Sequence, residues 1–300
     1  MRSLKSASAS APGSLMLMGE HAVLRGYPAI IQSLPQCLTV TITPRSDQNL
    51  WIQSSLGSLE LSFLDLLEQH SSKLDLKSLR PEDFKKFEYA LKTLEHWLST
   101  LNINQGFSLE ITSDFTSSVG LGSSTAVVVA TLKALNQATL TPLNPEELFT
   151  QSLQIIRSIQ GQASGADVAA SVYGGCLFYQ AETIEILPYL SLIEWKFSGE
   201  KVPTREAIAK VNALDADYLE PIFEKIHQSV LKAKSAMLQK DAKKFAQSLI
   251  ANQKLMEALF LDTPSLKNAR LDLAKNPEIL ATKISGAGLG DGVIGFKGFS

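Results

Sequence analysis

The stretch Val119-Gly120-Leu121-Gly122-Ser123-Ser124-Thr125 stands directly before a mostly apolar run, Ala126 to Leu135. Glycine adopts positive φ without steric cost and lets the main chain approach a ligand closely. A helix that begins here directs its free N–H groups and the positive end of its dipole towards the turn. The stretch therefore predicts an anion-binding turn, with an ordinary turn and helix cap as the alternative interpretation.

Two further glycine-rich segments flank this one along the chain. The first contains Ala11-Pro12-Gly13-Ser14, Gly19-Glu20-His21-Ala22-Val23-Leu24 and Gly26-Tyr27-Pro28-Ala29-Ile30. The other is Lys283-Ile284-Ser285-Gly286-Ala287-Gly288-Leu289-Gly290-Asp291-Gly292. We refer to residues 11–30, 119–125 and 283–292 as the first, second and third motifs.

The three motifs resemble, in the same order, the signature motifs of the GHMP kinase superfamily, which takes its name from galactokinase, homoserine kinase, mevalonate kinase and phosphomevalonate kinase. The GEHAV and GxPAI phrases of the first motif are similar to mevalonate kinases in particular, and the third motif resembles their KxxGAGxGG. Three ordered motifs that span nearly the whole chain form a much more specific pattern than one glycine turn.

Composition indicates a protein that binds a small-molecule substrate. The chain has 28 Lys and Arg against 30 Asp and Glu, a net charge of −2, so nothing indicates nucleic acid or an anionic membrane as a partner. The two cysteines, Cys37 and Cys176, predict neither a disulfide framework nor a zinc site, and the four histidines have no metal-ligand spacing. No apolar signal-peptide core or long uncharged apolar run occurs, so we expect a cytoplasmic protein.

Hydrophobic periodicity predicts a mixture of helices and strands. Strands are expected at Gln36–Thr43 and Phe107–Thr112, and a hairpin at Cys176–Gln180 and Thr183–Leu187. One amphipathic helix follows Pro81, and its apolar positions are Phe84, Phe87, Leu91, Leu94, Leu98 and Leu101.

Asn144 and Pro145 predict the start of another helix, which Gly161 ends. The chain is predominantly helical from 203 to 260, and a strand, glycine turn and strand follow at Lys283–Phe296. This change of pattern predicts a domain boundary between 185 and 200. Periodicity alone predicts an α+β protein.

The resemblance implies more about the fold. It implies a two-lobed GHMP kinase fold, with an ATP-binding N-terminal domain at 1–190 that is similar to ribosomal protein S5 domain 2. A C-terminal GHMP kinase domain at 191–300 would be ferredoxin-like. The active site of the family lies in the cleft between its two lobes.

The resemblance also implies how ATP and Mg²⁺ are bound. Main-chain N–H groups of the second motif would hold the phosphates, and the Ser124 hydroxyl would ligate the metal. Gly286 and Gly288 of the third motif would approach the nucleotide as well, although a tight hairpin is the simpler interpretation of that segment. The predicted nucleotide-binding residues are Gly120, Leu121, Gly122, Ser123, Ser124, Thr125, Gly286 and Gly288.

Phosphoryl transfer requires a carboxylate that accepts the proton of the substrate hydroxyl. Asp167 lies in Ser164-Gly165-Ala166-Asp167, followed by Tyr173-Gly174-Gly175, and this resembles the family segment SGxD…YGG, whose aspartate is the catalytic base. Without the resemblance, an aspartate after a glycine turn would be interpreted as a helix cap. The implied substrate-binding residues are Glu20, His21 and Ser285.

Two charged residues of the family pattern are replaced in this chain. Ser14 stands where mevalonate kinases carry a lysine, and Ile156 stands where the family's Mg²⁺-binding glutamate should fall. Lys283 or Arg157 could supply the positive charge, and Asp291 or the phosphates themselves could hold the metal.

The expected function is ATP-dependent phosphorylation of the primary hydroxyl of mevalonate in isoprenoid precursor biosynthesis. One alternative is a phosphomevalonate kinase or another GHMP small-molecule kinase, since Ser164–Gly175 and Leu289-Gly290-Asp291 also resemble phosphomevalonate kinases. A second alternative is a non-catalytic nucleotide-binding homologue, because of Ser14 and Ile156. The oligomeric state stays open, with a homodimer as one expectation.

Overall fold

The computed structural model describes residues 4–62, 79–98, 103, 105–115, 120–181 and 183–299, which contain ten strands and eight α-helices. The chain divides into two compact units, neither of which is continuous in sequence. The first takes in 1–13, 35–115 and 123–161, and the second takes in 14–34, 116–122 and 162–300. The predicted pair of domains, 1–190 and 191–300, stays a prediction.

Two long strands contribute residues to both units, namely β1 (Ala7–Met18) and β2 (Ala29–Pro44). In the first unit, β2 is antiparallel to β5 (Phe107–Ser113), as the predicted strands at 36–43 and 107–112 require. The strand β3 (Asn49–Ser54) then pairs parallel with β5 and antiparallel with β4 (Gly57–Ser62).

Three helices of the first unit pack against one another: α1 (Pro81–Leu98), α2 (Ser123–Ala138) and α3 (Pro145–Gln160). Four of the predicted apolar positions of α1 are buried, namely Phe87, Leu91, Leu94 and Leu98, whereas Phe84 is half-buried. Leu101, the remaining predicted position, lies outside the described residues. Burial of such a stripe supplies most of the stability of an amphipathic helix.

The predicted ends of α3 are confirmed. The Asn144 side chain accepts a hydrogen bond from the Glu147 N–H, and the Glu147 carboxylate accepts one from the Asn144 N–H, which forms a capping box. Gly161 ends the helix with a φ of 77°. Ile156 belongs to its buried apolar stripe.

In the second unit, β2 pairs with β6 (Cys176–Gln180), which forms the predicted hairpin with β7 (Thr183–Leu187). A separate antiparallel sheet has the order β8 (Leu192–Phe197), β10 (Gly292–Gly298), β9 (Ala281–Ser285). The predicted strand, turn and strand of the third motif are therefore β9 and β10. The helices are α4 (Ala166–Tyr173), α5 (Thr204–Asn212), α6 (Ala216–Leu238), α7 (Ala242–Ala258) and α8 (Pro264–Leu273).

Candidate active site

The first and third motifs are joined by side-chain bonds within the second unit. The Ser285 hydroxyl donates to the Met16 carbonyl at 2.9 Å, and His21 Nε2 lies 2.8 Å from the Ala287 carbonyl. Lys283 Nζ donates to Glu20 Oε1. Residues that are more than 260 positions apart in sequence thus form one structural cluster.

Glu20 and Lys283 form a buried ion pair, with side-chain exposures of 2% and 0%. Burial raises the pKa of the Glu20 carboxyl, and the Lys283 ammonium opposes that shift. Burial likewise lowers the pKa of the Lys283 amine, against the attraction of Glu20. Lys283 Nζ also donates to the Ile284 carbonyl. Because Glu20 neutralises its charge inside the unit, Lys283 is a weak candidate for the cation that the family lysine would supply.

His21 is a buried residue in the left-handed region, with a φ of 60°. Burial lowers the pKa of its imidazole, so the ring is neutral near pH 7. A neutral imidazole donates only from its protonated nitrogen, and the Ala287 carbonyl can only accept. The contact therefore assigns the proton to Nε2.

The loop that precedes α4 positions Asp167. Gly165 has a φ of 95°, and the Ser164 hydroxyl accepts a hydrogen bond from the Ala166 N–H at 3.2 Å. The buried Tyr179 donates its hydroxyl to the Ser164 carbonyl at 2.6 Å. These bonds place Asp167 in the first turn of the helix, where the dipole favours a negative charge.

Ser14 contacts both the candidate base and the second motif. Its hydroxyl donates to Asp167 Oδ1 at 2.7 Å, and its N–H donates to the Leu121 carbonyl at 3.0 Å. Burial raises the pKa of the Asp167 carboxyl, and the hydrogen bond from Ser14 opposes this shift. The Ser14 hydroxyl thus stabilises the charged Asp167 carboxylate, and the Ser14 main-chain N–H connects the same residue to the glycine turn.

The glycine turn has no space for side chains at two of its positions. Gly120 and Gly122 both have a φ of 68°. A Cβ atom on Gly122 would lie 2.2 Å from Ser14 Oγ, and one on Gly120 would lie 2.6 Å from the Asp291 Cβ. Glycine is therefore required by conformation and by close approach. Val119, the first residue of the second motif, lies outside the described residues.

Two neighbouring segments hold the loop of the third motif in place. The Leu289 N–H donates to the Leu261 carbonyl at 2.8 Å, and the Asp291 N–H donates to the Glu200 carbonyl at 2.7 Å. A Cβ atom on Gly288 would lie 2.7 Å from the Leu261 Cβ, so the loop packs closely on this segment. Gly286 has a φ of 94°, with open space where a side chain would stand.

Within the part of the chain that the structure describes, no group of three or more His, Cys, Asp or Glu residues could hold a metal ion by itself. Among the same residues, no helix has the length and apolar character needed to cross a bilayer. Cys37 and Cys176 are free thiols. Because the described residues contain no such acidic, histidine or cysteine group, a metal ion at this site would need oxygen atoms of a bound substrate in addition to protein side chains.

Comparison with known proteins places these motifs in a family. Residues 87–175 match the model of the GHMP kinases N terminal domain. The mevalonate kinase of Archaeoglobus fulgidus is 30% identical over 295 residues, which cover 97% of this chain and 92% of that protein. The chain belongs to the GHMP kinase family.

Other relatives of this GHMP kinase agree with that assignment. The mevalonate kinase of Pyrococcus abyssi is 29% identical over 294 residues, covering 94% of this chain and 86% of the relative. The crystal structure of the Methanococcus jannaschii mevalonate kinase matches with a TM-score of 0.78 and 25% identity, covering 97% and 90% of the two chains. The predicted α+β GHMP kinase fold is confirmed.

The predicted phosphate-binding hydroxyls of this GHMP kinase lie at the start of α2. Ser123 and Ser124 are partly exposed, whereas Thr125 is buried. They belong to the first unit and follow Gly122 directly in the chain. Arg157, the other candidate cation, is exposed on α3 of the first unit. The roles of these residues, and those of Glu20, His21 and Ser285 in substrate binding, stay predictions.

Sequence reasoning missed two features of the site. Ser14 was interpreted only as the loss of a lysine, although its hydroxyl is bonded to Asp167. Asp291 was considered as a metal ligand without any indication that it packs on Gly120. No local pattern could reveal either contact, because each joins residues that are more than 150 positions apart in sequence.

Proposed function

We propose that this GHMP kinase transfers the γ-phosphoryl group of ATP to the primary hydroxyl of mevalonate. The names of the relatives support this choice of substrate, since two relatives that match nearly the whole chain at 30% and 29% identity are mevalonate kinases. One structural observation carries the proposal: Ser14 is bonded both to the Asp167 carboxylate and to the glycine turn. Because the proposed base and the proposed phosphate-binding turn contact the same residue, they are suited to act in one reaction centre.

Asp167 acts as the base in this proposal. The acceptor oxygen attacks the γ-phosphorus in line, the bond from the γ-phosphorus to the bridging oxygen breaks, and ADP leaves. The hydroxyl proton moves to the Asp167 carboxylate. Ser14 donates to Oδ1, and the proposed proton acceptor is the other carboxylate oxygen, Oδ2, which does not accept this bond. Burial, which raises the pKa of Asp167, makes the carboxylate a stronger base.

The second motif binds ATP in this proposal. The N–H groups of the glycine turn and of the first turn of α2 hold the phosphates, and Gly286 and Gly288 present further main-chain groups. Glu20, His21 and Ser285 shape the acceptor site by fixing the loop of the third motif, since their side chains bond to it or to β1.

Mg²⁺ supplies charge neutralisation of the β- and γ-phosphates when bound. We propose the Ser124 hydroxyl as one ligand. A structural observation fits a cation near the turn: Asp291 Oδ1 is a buried carboxylate oxygen without a hydrogen-bond partner among the described residues. We also propose a cytoplasmic setting, because ATP is the phosphoryl donor, and a homodimer, which light scattering of the purified protein tests.

An ADP-release assay across mevalonate, phosphomevalonate, homoserine and galactose tests the proposal. We expect turnover with mevalonate, and Asp167→Asn should lower kcat at least about 100-fold, the low end for loss of a positioned acid–base group. Turnover with phosphomevalonate but not with mevalonate would assign the sister activity. Full activity of Asp167→Asn would place the base elsewhere.

The non-catalytic alternative is tested by calorimetry beside the same assay. A protein that only binds nucleotide would take up ATP yet form no more product than Asp167→Asn does. The comparisons do not favour this alternative or the phosphomevalonate kinase alternative, since the relatives that match nearly the whole chain at 30% and 29% identity are named mevalonate kinase.

A further inference from the structure

Asp291 has an unusual place for an acidic residue. It ends the loop of the third motif, at the position where the KxxGAGxGG pattern has its last glycine, and its φ is 65°. Non-glycine residues rarely adopt this conformation, although aspartate and asparagine do so more readily than most. The carboxylate is therefore present at some conformational cost, in a loop where glycine would be easier to accommodate.

The Asp291 side chain packs against the main chain of the second motif. A Cβ atom on Gly120 would lie 2.6 Å from the Asp291 Cβ and 2.9 Å from its Oδ1. The Asp291 main chain is held on both sides, because its N–H donates to the Glu200 carbonyl and its carbonyl accepts from the Ser198 N–H at 2.8 Å. The carboxylate is thus fixed beside the turn that we propose to bind phosphates.

This carboxylate lacks part of its expected stabilisation. Oδ1 is buried and has no hydrogen-bond partner among the described residues. Burial raises the pKa of Asp291, and the positive charge of Lys201 opposes that shift without cancelling it. A buried acceptor that is left unsatisfied costs free energy, and a carboxylate beside a triphosphate would repel it. A divalent cation between the two would remove both costs.

We propose that Asp291 is a ligand of the divalent cation that accompanies ATP. Mg²⁺ is usually bound in proteins by one or two carboxylates together with substrate phosphates, so a single well-placed aspartate suffices. This carboxylate would take over the role that the family glutamate cannot play here, because Ile156 occupies its place in a buried apolar stripe. The inference rests on the proposed ATP-binding function.

Nucleotide binding with and without metal tests the inference without reference to turnover. Calorimetry would measure the affinity for a non-hydrolysable ATP analogue, in EDTA and in Mg²⁺, for the natural protein and for Asp291→Asn. We expect Mg²⁺ to tighten binding to the natural protein at least about tenfold more than binding to the variant. Without metal, the variant should bind the analogue as well as or better than the natural protein, because the repulsion is gone.

Two further variants test whether the effect is specific to the Asp291 carboxylate. Asp291→Gly removes the carboxylate and adopts a φ of 65° without strain, so it should show the same loss as Asp291→Asn while it folds normally. Asp272→Asn makes the same chemical change at an exposed carboxylate on α8 and should keep the full effect of Mg²⁺. With Mn²⁺ in place of Mg²⁺, the paramagnetic resonance spectrum of the bound ion should change in both Asp291 variants and stay unchanged in Asp272→Asn.

The outcomes separate this inference from the proposed function. An equal gain from Mg²⁺ in the natural protein and in both Asp291 variants would overturn the assignment of Asp291 while leaving ATP binding intact. If the natural protein binds no analogue with or without metal, the proposed function fails, and the inference fails with it.

Discussion

At the scale of single residues, the replacement of a lysine by Ser14 changes how the base is controlled. A lysine would stabilise the Asp167 carboxylate by charge, whereas Ser14 does so with one hydrogen bond. That bond favours the charged form and lowers the pKa of Asp167, against the burial that raises it. The acidity of the base is therefore set mainly by burial in this chain.

This balance predicts a pH effect. The base must be ionised, so kcat/KM should fall as the pH decreases through the raised pKa of Asp167. Ser14→Ala removes the bond to the charged form, which raises that pKa further, so the acid limb of the profile should move to higher pH. Ser14→Lys should move it to lower pH. A pH profile of kcat/KM for the three proteins measures this, and an unchanged limb in Ser14→Ala would contradict the role of the bond.

Gly122 offers a second prediction at this scale, with Gly161 as a matched control. Both have positive φ values that residues with a side chain rarely adopt, so alanine at either position should cost about 1–3 kcal/mol in conformational strain. Only at Gly122 would the new Cβ meet another atom, Ser14 Oγ at 2.2 Å, whereas the space at Gly161 is open. Gly122→Ala should therefore also lower kcat/KM at least about tenfold, because it displaces the turn.

Steady-state kinetics and urea denaturation of both variants separate the two effects. Gly161→Ala should lose stability and keep its kcat/KM. Equal kinetic losses in both variants would show that strain alone, and not the close approach to Ser14, explains the requirement for glycine at 122.

At the scale of elements, sequence predicts best what local interactions determine. The ends of α3 follow from Asn144, Pro145 and Gly161, whose effects act within a few residues, and the structure contains each of them. The hairpin of β6 and β7 follows equally from alternation and a short turn. Local signals of this kind do not depend on contacts with distant parts of the chain.

Other elements could not be predicted in this way. The first half of β1 is a run of alanine and serine without the β-branched residues that indicate a strand, and it pairs because β2 lies beside it. The pairing of β10 with β8 joins segments about 100 positions apart, which no window of sequence reveals. The motifs predicted the residues of the candidate site, but only the fold shows that Ser14 bonds to Asp167.

At the scale of the whole molecule, the second unit is assembled from three separate segments of the chain, 14–34, 116–122 and 162–300. The Glu20–Lys283 pair joins the first of these to the last and is completely enclosed. Removal of one partner from a buried pair leaves an uncompensated charge, which typically costs about 3–5 kcal/mol, whereas removal of both is often nearly neutral. The ion pair therefore contributes little net stability, and its main effect is to determine that segments 14–34 and 162–300 pack together.

This view predicts the result of a double-mutant cycle. Lys283→Met should lower the free energy of unfolding by about 3–5 kcal/mol, because Glu20 is left buried without its partner. Glu20→Gln combined with Lys283→Met should recover much of that loss, because no unpaired charge remains. Urea denaturation followed by circular dichroism measures both.

Lys275→Met, which breaks the exposed pair with Asp272, should leave the midpoint nearly unchanged, since water screens that contact. A double variant as unstable as the sum of its single variants would mean that the two side chains act independently, and that packing, not their charges, joins the first motif to the third.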